Sequence, residues 1–179
     1  MNSMTNRFST FALMLIATLS LTISACESDP CKNVECGARG TCLDGDCVCD
    51  AGFELDGSGQ CTVRSADKFV SSFNATEDCS ALGYVVTVTA SNVQADKIIL
   101  TNLGNYDCPS GDLPVEGIVN GNTVELSGAP YCPTASFTGY NFTGSGTISG
   151  NVLTISYVVT YTISGTQITD TCVATLNRQ

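Results

Sequence analysis

The chain has 179 residues, with seven Lys/Arg against 17 Asp/Glu, no histidine, no tryptophan and 11 cysteines, giving a net charge of −10. Without histidine, Ser-His and Cys-His nucleophile activation and the commonest zinc ligation are excluded. An acidic chain with no basic patch also excludes a nucleic-acid surface, because it repels phosphate.

Residues 1–25 carry Arg7 as their only charged side chain, and an apolar run from Phe11 to Ile23 is interrupted only by Thr and Ser. This is a signal-peptide pattern, too short for a comfortable membrane span. It is followed by Ile23-Ser24-Ala25-Cys26: an aliphatic residue, two small ones and a cysteine. Cysteine parity singles out the same residue. Eleven is odd, and setting Cys26 aside leaves ten, of which six fall between residues 31 and 61 and four beyond. The motif resembles the lipobox of bacterial lipoproteins. That resemblance implies removal of 1–25, acylation of Cys26 with a palmitate-type chain, and a lipidated tether over 26–30.

The six clustered cysteines are spaced C-x4-C-x5-C-x4-C-x-C-x11-C from Cys31 to Cys61. A segment this short and this poor in aliphatics cannot build its own core, so disulfides must hold it. Spacing alone leaves 15 connectivities open. The single residue between Cys47 and Cys49, the Gly52-Phe53 pair and the glycines before Cys61 resemble an EGF-like module. The resemblance implies Cys31–Cys42, Cys36–Cys47 and Cys49–Cys61, with a hairpin around Gly40 to Val48. Calcium-binding members carry Glu or Gln just before the first cysteine, where this chain has Pro30, so no metal and no cofactor are expected.

Residues 62–67 read as a linker. From Lys68 to Gln179 the chain is rich in Val, Ile, Thr, Tyr, Ser and Gly. Period-two alternation is clear at Tyr84, Val86, Val88 and at Leu153, Ile155, Tyr157, Val159, Tyr161, which marks strands. Asn120-Gly121, Ser149-Gly150-Asn151 and Ser164-Gly165-Thr166 punctuate them as turns. The pattern predicts strands near 68–75, 83–90, 96–102, 113–119, 122–127, 135–140, 142–149, 152–161 and 167–177. A meander this long must close into an antiparallel barrel or, alternatively, split into a β-sandwich. Closure would bring Cys79 and Cys172 together. That favours Cys79–Cys172 with Cys108–Cys132, over Cys79–Cys108 with Cys132–Cys172 or Cys79–Cys132 with Cys108–Cys172. The fold class is therefore mainly β, a disulfide-rich EGF-like module followed by a β-meander barrel.

Phe137, Tyr140, Phe142, Tyr157 and Tyr161 are the candidates for lining a ligand surface, with core filling as the plain alternative. Glu77 and Asp78 precede a cysteine in a loop and read as solvated, and Asp170 reads as an outward-facing strand acid. Gly144-x-Gly146-x-x-x-Gly150 has the wrong spacing, and the wrong hairpin context, for a dinucleotide site. A histidine-free glycosidase would need two acids facing one cavity at about 5–10 Å. No enzyme is expected.

The order of the pieces resembles a group of small Bacteroidota surface lipoproteins. The likeness rests on the lipobox, Asp29-Pro30-Cys31, the Lys68-Phe69 start of the β domain, the Gly-Ser-Gly-Thr-Ile run from Gly144 to Ile148, and Cys-x-Ala-Thr from Cys172 to Thr175. The meander is also similar to that of lipocalins, without their Gly-x-Trp. These resemblances imply a non-enzymatic protein anchored to the outer membrane through acylated Cys26, with protein or glycan partners at the cell surface. The alternative is a carrier of a small hydrophobic ligand in the barrel.

Overall fold

The computed structural model describes residues 29–106, 108, 113–130, 132 and 137–179, the side chains of Phe137 and Thr138 excepted. The signal segment and Cys26 lie outside the described residues.

The N-terminal module consists of two small hairpins. β1 (Gly40–Leu43) pairs with β2 (Asp46–Cys49), and β3 (Phe53–Leu55) pairs with β4 (Cys61–Arg64). Leu43 faces Asp46, so Asp44-Gly45 is a two-residue turn, with both residues at positive φ, as the right-handed twist of the strands demands. Cys31–Cys42, Cys36–Cys47 and Cys49–Cys61 cross-link the module. Its packing is tight enough at Gly40 that a Cβ there would lie 2.5 Å from the Cys61 Sγ.

The stretch 62–67 is not a free linker. It continues β4 and enters a 3₁₀ turn over Ser65–Lys68, whose Ser65 and Ala66 are buried. Arg64 donates to the main-chain carbonyls of Ala95, at 2.9 Å, and of Ser91 and Gln94. Lys68 reaches both Glu54 of the module (2.6 Å) and Asn122 of the β domain (2.9 Å). Gly52, at φ +82°, comes so close to the β domain that a Cβ would lie 2.6 Å from the Asp96 nitrogen. Module and β domain are joined by the Arg64 and Lys68 side chains and by the close main-chain approach at Gly52.

The β domain is a closed eight-stranded antiparallel barrel. Its strands are β5 (Ser71–Glu77), β6 (Ser80–Ala90), β7 (Lys97–Thr101), β8 (Pro114–Asn120), β9 (Thr123–Gly128), β10 (Phe137–Ser149), β11 (Val152–Ile163) and β12 (Thr166–Arg178). Each pairs with the next, and β12 returns to pair with β5. The two strands expected at 135–140 and 142–149 are one. Gly139, at φ +70°, produces a register shift between Thr138 and Asn141, so a bulge bends β10 without ending it.

Alternate residues of every strand point inward, and the interior is filled by side chains such as Phe73, Leu100, Phe142, Leu153 and Ile155, all 0% exposed. Gly144 and Gly146 belong to the inward face of β10. A Cβ at Gly144 would lie 2.3 Å from the Ser156 carbonyl oxygen and 2.7 Å from the Cβ of Tyr157. The Gly-Ser-Gly run thus makes room for the large β11 side chains.

The two ends of the barrel differ. At one end the 3₁₀ turn and buried Phe69 plug the opening, and the last strand is tied over it. There Arg178 donates to the carbonyls of Lys68 and Val70, its guanidinium lies 5.5 Å from the Phe73 ring centroid, and the Gln179 nitrogen donates to the Ser72 carbonyl. At the other end stand the β5–β6 turn, the connection after β7 and the starts of β10 and β12. Cys79–Cys172 links the β5–β6 turn to β12, and Cys108–Cys132 links two connections.

A methyl group at Gly144 overpacks this interior. We predict that Gly144→Ala lowers stability by roughly 1–3 kcal/mol, read as a lower denaturant midpoint with an unchanged m-value.

Candidate functional site

The open end of the barrel holds a cleft of about 400 Å³ lined by Glu77, Cys79, Ser80, Tyr106, Tyr140, Tyr161 and Asp170, with Gly104 and Asn105. The lining side chains on strands follow from strand alternation, whereas Cys79 sits in the β5–β6 turn and Tyr106 in the connection after β7. Phe73, Ala75 and Glu77 share the inward face of β5. On β12, Asp170 is in phase with buried Cys172, Ala174 and Leu176. Tyr157 and Tyr161 continue the inward row of β11, and Tyr84 begins that of β6.

Two carboxylates organise the polar part. Glu77 Oε2 accepts the hydroxyl protons of Tyr157 (2.6 Å) and Tyr84 (2.7 Å). The Tyr84 oxygen in turn accepts from the Gly104 nitrogen at 3.1 Å, which fixes the turn after β7. Asp170 Oδ2 accepts from Tyr161 (3.0 Å) and Tyr106 (3.3 Å). Above them the rings form one cluster. Tyr106 lies 5.6 Å from both Tyr140 and Tyr161, Tyr140 stacks on Tyr161 at 5.4 Å, and Phe142 lies 6.0 Å from Tyr157. Gly104 sits at φ +80°, and a Cβ there would meet the Tyr106 ring at 2.3 Å and the Tyr157 hydroxyl at 2.8 Å. No side chain fits at that position without displacing the rim.

Burial raises the hydroxyl pKa values of Tyr84, Tyr106, Tyr157 and Tyr161 above the usual phenol range. The neighbouring carboxylate adds to the effect, Glu77 for Tyr84 and Tyr157 and Asp170 for Tyr106 and Tyr161. All four therefore remain proton donors at neutral pH.

Of the residues singled out from sequence, the structure brings Tyr140, Phe142, Tyr157 and Tyr161 together, while the Phe137 side chain lies outside the described residues. Tyr140, Phe142 and Tyr157 are at most 2% exposed and act as the floor of the cleft more than its walls. Two expectations are corrected. Glu77 is not a solvated loop acid, because it ends an inward strand face and binds two phenols. Asp170 is not outward-facing; it is half-buried and in phase with Cys172. Tyr84 and Tyr106 were not anticipated. Tyr84 could have been found by alternation with Val86 and Val88, whereas Tyr106 lies in an irregular connection that periodicity cannot place. Asp78 is exposed and accepts the Val173 nitrogen at 2.7 Å.

Asp78, Cys79 and Cys172 place their ligand atoms within 4.8 Å of one another, but both sulfurs belong to one disulfide and offer no thiolate to a metal. A somewhat larger hollow of about 460 Å³ lies between module and barrel, lined by Arg39, Phe53, Arg64 and the 91–95 loop. Its two guanidinium groups are already engaged, Arg64 by three carbonyls and Arg39 over the Phe53 ring at 5.3 Å.

No protein-family model matches the chain, and no curated protein or solved structure matches it either.

The tyrosine cluster has a readable pH signature. A folded-state phenol pKa above its unfolded value near ~10 contributes stability that is complete below that pH and is lost as pH rises. In a spectrophotometric titration we expect four of the six tyrosines to resist ionisation at about pH 10–11 and then to ionise together with alkaline unfolding. Glu77→Gln should move two of them, Tyr84 and Tyr157, back toward ordinary behaviour.

Proposed function

We propose that this chain is an exported, lipid-anchored envelope protein without catalytic activity, in which the barrel presents a small binding cleft on the end turned away from its anchor. The observation that carries the reading is polarity. The chain enters the barrel from the N-terminal module at the plugged end, whereas the cleft opens at the opposite end. Anchoring at Cys26 would place the module next to the bilayer and the cleft outermost.

The cysteine pattern supports export and acylation. Ten cysteines form five disulfides, which require an oxidising compartment, and the eleventh is the one in the lipobox-like motif. Two acyl chains at ~0.8 kcal/mol per buried methylene give an anchor that does not readily release. An acidic surface contributes nothing to holding anionic lipid, so the acyl chains bear the attachment.

The filled interior favours a surface cleft over an apolar cargo cavity, since Phe73, Tyr140, Phe142 and Tyr157 occupy the space that a carried hydrophobic molecule would need. A carboxylate-dependent glycosidase gains two acids in one cleft, Glu77 and Asp170. Each, however, is already an acceptor of two phenolic protons, an arrangement that prepares neither as the proton donor such a reaction needs.

Replacing Cys26 by Ser should move the protein from the membrane fraction to the soluble fraction and abolish labelling by a fatty-acid analogue. Continued labelling or continued membrane association would overturn the anchoring.

A further inference from the structure

Charge is segregated along the barrel axis. Beyond residue 25 the only basic residues are Lys32, Arg39, Arg64, Lys68, Lys97 and Arg178, and all belong to the module or to the plugged end. Lys68 and Lys97 pair with Glu54 and Glu116, and Arg64 and Arg178 are turned onto carbonyls. The open end has no basic residue at all, yet it holds two inward carboxylates. Among the described residues neither Glu77 nor Asp170 forms an ion pair. Each takes its phenolic protons on a single oxygen, so Glu77 Oε1 and Asp170 Oδ1 accept nothing from the described residues.

The two acids lie at different depths. Glu77 faces Ala174 across the β5–β12 seam, while Asp170 is four residues closer to the rim on β12. That places their backbones about 13 Å apart along the strand, at ~3.3 Å per residue. The rings of Tyr106, Tyr140 and Tyr161 line the cleft beside them.

We infer that the cleft binds a linear aliphatic diammonium, with one ammonium on the free oxygen of each carboxylate and the methylene chain against the tyrosine rings. The inference rests on the proposed binding role of the open end and names its ligand class. An ammonium brings only donors, which is what two half-used carboxylates lack, and electron-rich ring faces attract it further. A neutral sugar would leave both charges uncompensated in a half-buried site, and an anion would be repelled. A divalent cation needs six or more oxygens gathered around one point, whereas these two acids are carried four residues apart in the strand register.

The test uses the full-length protein extracted in detergent at neutral pH and low salt. Titration calorimetry and tyrosine emission would be followed with 1,4-diaminobutane, 1,6-diaminohexane, 1-aminobutane and 1,4-butanediol. We expect at least one diamine to bind ten or more times more tightly than the monoamine, and the diol to give no signal. Glu77→Gln and Asp170→Asn should each reduce the diamine to the affinity of the monoamine, while Asp78→Asn, on an exposed acid next to the cleft, leaves it unchanged. Because Glu77 also supports buried phenols, Asp170→Asn, nearer the rim, is the decisive variant if Glu77→Gln unfolds. A diamine that binds no better than the diol, or no better than the monoamine, overturns the inference, as does retention of full affinity by Asp170→Asn. Binding of a neutral oligosaccharide instead would overturn the ligand class and leave the binding role standing. Anchoring is read separately by Cys26 labelling.

Discussion

The seam between β5 and β12 is the constraint on which the rest of this molecule depends. The first and last strands of the barrel are joined over only five residue pairs, from Phe73 with Arg178 to Glu77 with Ala174. Without them the meander is an open sheet with two long unprotected edges. Each end of the seam has its own fastening. At the plugged end Arg178 binds the carbonyls of Lys68 and Val70 and covers Phe73. At the open end Cys79–Cys172 closes a separation of 93 residues, a crosslink worth about 4–5 kcal/mol in the chain-entropy picture. The same five pairs fix the depth of Glu77 relative to Asp170, so closing the sheet and composing the cleft are one event.

Much of the barrel can be seen in the sequence because alternation is strictest where one strand face is buried. The row Leu153, Ile155, Tyr157, Val159, Tyr161 announces a strand and its inward side without any tertiary knowledge. The bulge at Gly139 is less visible, since a glycine between Thr138 and Tyr140 reads equally well as a turn. The 3₁₀ plug at Ser65–Lys68 was hidden for a different reason. Its sequence is polar and short, and only contact with both module and barrel orders it.

The cleft was half legible. Its aromatic residues attract attention by composition, but its acids do not, because an isolated Asp or Glu on a strand is most often solvated. Phase alone could have found them: Asp170 precedes Cys172 by two and Ala174 by four, and Glu77 follows Ala75 by two. Tyr106 was beyond reach, since it is carried in by an irregular connection in which Asn102, Gly104 and Asn105 all adopt positive φ.

The stiffness of the joint between module and barrel has a consequence for reach. Arg64 on three carbonyls, Lys68 bridging Glu54 and Asn122, and Gly52 against the Asp96 backbone leave no pivot between the two bodies. If the chain is held to a membrane as proposed, module and barrel must then turn together as one body. Under that proposal the cleft would keep a fixed distance from the module, meeting molecules that come to that height and missing those that lie flat on the lipid.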